Sequence, residues 1–190
     1  LLFSDRLDLL SNTLQIEQRC DDDVLPARTR LPRIFDDEEK ALNEIVWAEG
    51  ERRHRRMSSG LRKRIAHELE RITRLNFAGH FLTIWDACNW ARQQGILFSG
   101  RGSVVDSAVA YCLGLSRIDA HEHRLHFDRF LPDDGSKRPD IDIDFEAKRR
   151  DDVRNYLSKK YGVDHVATVA AFGAFCTRGI IREVGKALAL

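Results

Sequence analysis

The sequence has no long hydrophobic run, no excess of either charge and no paired cysteines, and each absence removes a class of function. No apolar stretch approaches the roughly 20 residues that cross a bilayer, and the opening LLFSDRLDLL meets charge too early for a secretory leader. A membrane role is therefore not expected. Lys and Arg number 31 against 30 Asp and Glu, a formal charge of +1, so no global field draws the chain to nucleic acid or to anionic lipid. Any nucleic-acid footprint has to be local. Cys20, Cys88, Cys112 and Cys176 lie far apart with no CxxC pair, which argues against a zinc site and a secreted disulfide framework. A reducing cytoplasm is the expected compartment. Neither the GxxxxGK[ST] phosphate loop nor the GxGxxG dinucleotide fingerprint occurs.

With 190 residues, 43% of them hydrophobic, the chain has enough apolar material for a true core, in one large domain or two small lobes. Leu7, Leu10, Leu14 and Ile16 predict a helix over Asp5 to Cys20. Asp21 to Arg33, with Pro26 and Pro32, reads as an extended connection. A second helix is expected from Asp36 through Trp47, its acidic Asp36, Asp37, Glu38 and Glu39 at the positive end of the dipole. Seven basic residues follow between Arg52 and Arg64, split by Ser58-Ser59-Gly60. They fit either a solvated helix face or a contact with a phosphate backbone. Ile65, Leu69, Ile72 and Leu75 mark an amphipathic helix, and Phe81 to Gln94 another, whose Trp85 and Trp90 read as core. Gly95 has the character of a C-cap, and Ile96-Leu97-Phe98 that of a short buried strand. The chain lacks an initiating Met and its final IIREVGKALAL stops inside a helical pattern, so a piece of a longer protein is expected.

Two constellations carry chemistry. The first is Ser99-Gly100-Arg101-Gly102-Ser103, followed by the helix-compatible VVDSAVAYCLG ending at Gly114. A strand, a glycine turn and a helix start bring free backbone N–H groups and a positive dipole end to one place, which suits a phosphate. The same arrangement is also ordinary helix capping. The second is Pro139-Asp140-Ile141-Asp142-Ile143-Asp144-Phe145. Alternation predicts a strand with the three aspartates on one face, successive carboxylates about 7 Å apart. Aspartate is a poor strand former and like charges on one face repel, so a bound cation explains the pattern better than a structural role does. An acidic edge strand that resists aggregation is the bland alternative. Upstream, His126-Phe127-Asp128-Arg129-Phe130-Leu131 alternates into the turn Pro132-Asp133-Asp134-Gly135, placing Arg129 where it serves either as a salt-bridge partner or as part of the acidic site.

The ordered segments GILFSGRGS, SAVAYCLGL, FDRFL, PDIDIDFEAKRRDDV and FGAFCTRGIIREVGKAL resemble the palm and adjoining thumb of C-family bacterial DNA polymerases, the DNA polymerase III alpha subunit and its error-prone relatives. The resemblance is clear from about Leu61 onward and looser before it. It implies an α+β fold, a helical thumb-like region over 1–94 followed by a polymerase-beta-like nucleotidyltransferase palm fragment over 95–190. Asp140 and Asp142 match the first two of three catalytic, metal-binding aspartates, the third lying beyond this chain, and Asp144 takes an orienting role beside them. Gly102 and Ser103 match the pair that contacts the nucleotide triphosphate; Arg129 matches an arginine near that triphosphate, with Arg101 a further candidate. Two Mg2+ ions, a dNTP and primer-template DNA are the implied cofactor and partners, with a sliding clamp and other replisome subunits engaged by parts outside the chain. Ser99 departs from the family's usual proline, and VVDS from its more glycine-rich continuation. PDIDIDFE looks closer to the error-prone branch and FGAFCTR to the replicative one.

The implied reaction is template-directed transfer of a nucleotide to a primer 3'-hydroxyl by a two-metal mechanism, with this isolated stretch expected to be inactive. Two rivals stand beside it. One is a two-metal phosphohydrolase, although His121, His123 and His126 form no HxH-plus-acid pattern near the acidic strand. The other is a non-catalytic nucleotide- or DNA-binding remnant.

Overall fold

The computed structural model describes residues 6–20, 33–54, 56–135, 137–169 and 176–189. The first helix, α1, spans Leu7–Glu17, within its predicted range. The expected connection from Asp21 lies outside the described residues up to Arg33. The second, α2 (Glu38–Arg53), is capped by Asp37, whose side chain accepts from Lys40 N at 3.0 Å. It runs six residues past Trp47 because Arg52 and Arg53 close its negative end, as the helix dipole favours. Ser58 Oγ accepts from Leu61 N at 3.1 Å and opens α3 (Ser59–Arg74), so the serine-glycine break is a capped helix start.

The fourth helix, α4 (Ala78–Gln93), ends at Gly95, which takes φ +68°. Gly95 N donates to Arg92 O and Ile96 N to Ala91 O, a Schellman closure. Ile96 is thus spent on ending a helix, and the strand predicted at 96–98 begins two residues later, as β1 (Phe98–Arg101). Arg101 leads into a 3₁₀ turn over Gly102–Asp106, and only then does α5 (Ala108–Cys112) start. The continuous helix expected after Ser103 is broken because Ser107 caps α5, accepting from Ala110 N at 3.0 Å. A second 3₁₀ turn, Phe127–Arg129, replaces the alternation read there: Phe127 and Phe130, three apart, both enter the core, which an extended backbone does not allow. After it come β2 (Asp142–Phe145), α6 (Arg150–Tyr161) and α7 (Thr177–Ala187).

The described residues therefore form an α+β structure in which helices α2 to α6 pack together with one small antiparallel sheet. Its register is Phe98 opposite Phe145, Ser99 opposite Asp144, Gly100 opposite Ile143 and Arg101 opposite Asp142. One core draws Leu42 and Val46 from α2, Ile65, Leu69 and Ile72 from α3, Phe81 and Leu82 from α4, Val109 and Cys112 from α5, and Phe130 with Leu131. Ile141, Ile143 and Phe145 pack against it, which turns the other face of β2 toward solvent. Each fully buried aliphatic or aromatic side chain contributes about 1.5–3 kcal/mol, so the two short strands are held by this core more than by their own ladder.

Candidate active site

The acidic face of β2 is organised by its pairing with β1. Arg101, directly across from Asp142, donates from Nη1 to Asp142 Oδ2 at 3.2 Å and from Nε to Asp144 Oδ1 at 2.9 Å. One guanidinium thus ties two carboxylates, which places both on the same face, as their alternation requires. Its hydrogen bond to Asp144 first, and then the charges of Asp142, Asp144 and Asp140, raise the Arg101 pKa above its ordinary value. Arg101 is exposed to solvent screening, so the ion pairs orient the face more than they stabilise the fold.

Gly102 follows with φ +67°, and a Cβ there would stand 3.2 Å from Asp142 Oδ2. Only glycine meets both demands without strain. This turn carries the backbone away from β2, so among the described residues Asp140 and Ile141 have no strand partner and the strand starts at Asp142 instead of Asp140. Asp140 is exposed at the mouth of the ladder, where its charge acts on both Arg101 and His80. His80, from α4, lies near the carbonyl of Pro139, and its Nε2 is buried with no hydrogen-bond partner among the described residues. Burial holds the His80 pKa below its ordinary value, with that carbonyl and the Asp140 charge acting weakly upward. Ser103, half-buried, sits in the first turn after Gly102.

Arg129 lies on the 3₁₀ turn that packs against the Gly102–Asp106 turn, with its side chain exposed. Among the described residues no ion pair joins it to the three acids. Its segment is fixed from behind by Arg71, which donates to Leu131 O at 3.0 Å and pairs with Asp128. The structure therefore gathers Arg101, Gly102, Asp142 and Asp144 in direct contact, with Asp140 and Ser103 beside them and Arg129 on the neighbouring turn.

Two buried charges that support this site escape a reading by motif. Glu68, fully buried, accepts from Ser107 Oγ at 2.8 Å, Ala108 N at 3.1 Å and Val109 N at 3.0 Å, and pairs with Arg64. Arg64 in turn donates to Ala120 O at 2.9 Å and Asp106 O at 2.8 Å, closing the far end of the glycine turn. The available signal is positional: Glu68 and Arg71 fall on the apolar face of α3 with Ile65, Leu69 and Ile72, where a charge needs a partner. Arg52 pairs with Glu49, Arg62 with Glu51 and Arg64 with Glu68, so these three are engaged within the protein; Arg55 lies outside the described residues.

Asp142 and Asp144 are hard carboxylate donors of the kind Mg2+ takes, and here both are paired to Arg101. Among the described residues no group of three or more His, Cys, Asp or Glu side chains forms a metal cage. Likewise, no helix among them is long and apolar enough to cross a membrane.

Residues 40–190 match the family model described as the bacterial DNA polymerase III alpha NTPase domain. An error-prone DNA polymerase of Symbiobacterium thermophilum is 42% identical over 186 residues, covering 95% of this chain and 17% of the relative. One of Rhodopirellula baltica is 36% identical over 197 residues, covering 100% of this chain and 17% of the relative. A DNA polymerase III subunit alpha of Halalkalibacterium halodurans is 35% identical over 189 residues, covering 96% and 17%. The chain thus spans about 17% of the length of these curated relatives.

Proposed function

The chain belongs to the bacterial DNA polymerase III alpha family, and from that premise we propose that it carries part of the catalytic palm of a DNA-directed DNA polymerase. The observation that carries this reading is the contact between the glycine turn and the acidic strand: Gly102 leaves room at Asp142 Oδ2, with Arg101 and Asp144 alongside. A site that joins nucleotide to primer needs these two features together, one for the triphosphate and one for cations.

Asp140 and Asp142 are the proposed holders of two Mg2+ ions, their remaining ligands coming from water, substrate and the rest of the parent protein. Such ions, when bound, make the primer 3'-hydroxyl easier to ionise and neutralise the departing pyrophosphate. The chain's own residues have simpler tasks. Gly102 N–H and Ser103 hydroxyl donate to non-bridging phosphate oxygens, and Arg129, which has no acidic partner among the described residues, supplies a charged fork to the triphosphate. Arg101 acts as counterion of Asp142 and Asp144, keeping both carboxylates turned to one side. Asp144 anchors that guanidinium. Residues 1–94 are assigned to a thumb-like helical region and 95–190 to the palm, within a cytoplasmic replication or repair enzyme. Clamp and replisome partners are assigned to parts beyond this chain, and the isolated chain is expected to be inactive.

The neutralisation of Asp142 by Arg101 favours, as a second reading, a nucleotide-binding module without catalysis. Primer extension separates the two. The full-length parent should extend a primer with Mg2+, and Asp140→Ala and Asp142→Ala should each abolish extension. Retained extension in either variant would defeat the polymerase assignment.

A further inference from the structure

At the opposite end of β1 from the acids, a solvent-connected pocket of about 260 Å³ is lined by Arg53, Arg92 and Arg117 with Gly114, Ser116 and Phe98. None of the residues lining it is acidic. Arg53 comes from the last turn of α2 and Arg92 from the last turn of α4, so two helix ends deliver guanidinium groups to one place. A side chain at Gly114 would collide with Nη2 of both Arg53 and Arg92, which brings the two terminal nitrogens within reach of a single small anion. Gly114 has φ +73°, and its bare Cα keeps that space clear.

Both forks are pre-positioned by neutral groups. The Arg53 guanidinium lies over the Tyr111 ring at 5.4 Å, and that of Arg92 over the Phe98 ring at 5.4 Å. Arg92 also donates to Gly114 O and Asn89 Oδ1, each at 3.3 Å. Arg53 Nε is buried and finds no hydrogen-bond partner among the described residues. The nearby carboxylate, Glu49, is taken by Arg52. Two like charges held this close, one with a buried N–H unsatisfied, carry a cost that a bound oxyanion removes. Consistent with that, burial and then the charge of Arg53 hold the Arg92 pKa below its ordinary value.

We propose that Arg53, Arg92 and Arg117 form an anion pocket that takes a phosphoryl group, distinct from the acidic face at the other end of the strand. Planar guanidinium forks suit tetrahedral phosphoryl oxygens by paired hydrogen bonds. The phosphoryl group comes either from free phosphate or from a nucleic-acid backbone, and the pocket holds whether or not the acidic site is a polymerase centre.

The test uses the full-length parent without divalent cations. Arginines are modified with phenylglyoxal and mapped by mass spectrometry, alone, with inorganic phosphate, or with a single-stranded oligonucleotide. Phosphate should slow modification of Arg53 and Arg92 by roughly tenfold, as expected for a charge-assisted bidentate contact. Added protection by the oligonucleotide assigns the pocket to backbone phosphate; protection by phosphate alone assigns it to a free ligand. Arg92→Gln should weaken phosphate protection of Arg53 by roughly tenfold, with Arg92→Lys intermediate. Modification of Arg53 and Arg92 at the same rate under all three conditions, with protection confined to Arg101 and Arg129, would overturn the proposal.

Discussion

Replacing Glu68 by Ala should loosen the glycine turn from a distance. The carboxylate is completely buried and receives one hydroxyl and two amide donors at the start of α5, at 2.8–3.1 Å. Each buried donor left without an acceptor costs about 1–3 kcal/mol. Arg64 loses its carboxylate but keeps the carbonyls of Ala120 and Asp106, which limits its share of the loss. The net effect is about 3–5 kcal/mol, in the range found when one partner of a buried pair is removed. Because a large parent protein does not unfold in two states, the assay is hydrogen exchange of peptides spanning Ser107 to Cys112. A loss of about 3 kcal/mol in local opening corresponds to exchange roughly 100-fold faster. Glu68→Gln should recover only part of this, since its NH2 group would face backbone N–H donors. Glu70→Ala, an exposed position on the same helix, should leave exchange unchanged. If Glu68→Ala leaves these amides within about threefold of the unaltered protein, the buried cap does not hold the turn and the energetic argument is wrong.

Gly102→Ala should slow primer extension by the parent by about tenfold at saturating dNTP with little change in melting temperature, because the added methyl presses on Asp142 while left-handed backbone costs only about 1–2 kcal/mol. An unaltered extension rate would show that the close approach is incidental. Cys88 and Cys112 are fully buried, and burial pushes both thiols up to about 12. Only thiolate alkylates, so at pH 8 iodoacetamide should leave both unlabelled in the native parent and label both in denaturant; native labelling would contradict their packing.

The helices were legible because periodic leucines and isoleucines have one use in a packed structure: Ile65, Leu69 and Ile72 are all buried as their spacing predicts. The same holds for Ile141, Ile143 and Phe145, whose alternation puts one face on the core. Local chemistry also reads directly, as with Gly95 at the end of α4 and Ser58 before α3. What failed was the boundary between competing local choices. Ile96 looks like a strand residue but closes a helix through its amide, and Phe127-Asp128-Arg129-Phe130 alternates like a strand but turns so that both phenylalanines enter the core. Long-range polar contacts were invisible for another reason: Glu68 meets Ser107 across 39 residues, and Arg71 meets Leu131 across 60, separations at which periodicity carries no information. The proximity of Gly102 to Asp142 likewise required the β1–β2 register, which no motif states.

The central claim, that the acidic strand holds divalent cations beside the glycine turn, is tested most directly by affinity cleavage. In the full-length parent, Fe2+ replaces Mg2+, and ascorbate with peroxide generates radicals that cut the backbone near the bound iron. Cuts are expected at Gly102–Ser103 and at 139–143, suppressed by excess Mg2+ and lost in the Asp140→Ala, Asp142→Ala double variant. Cleavage confined to other segments, or cuts at these positions that persist in the double variant, would contradict it.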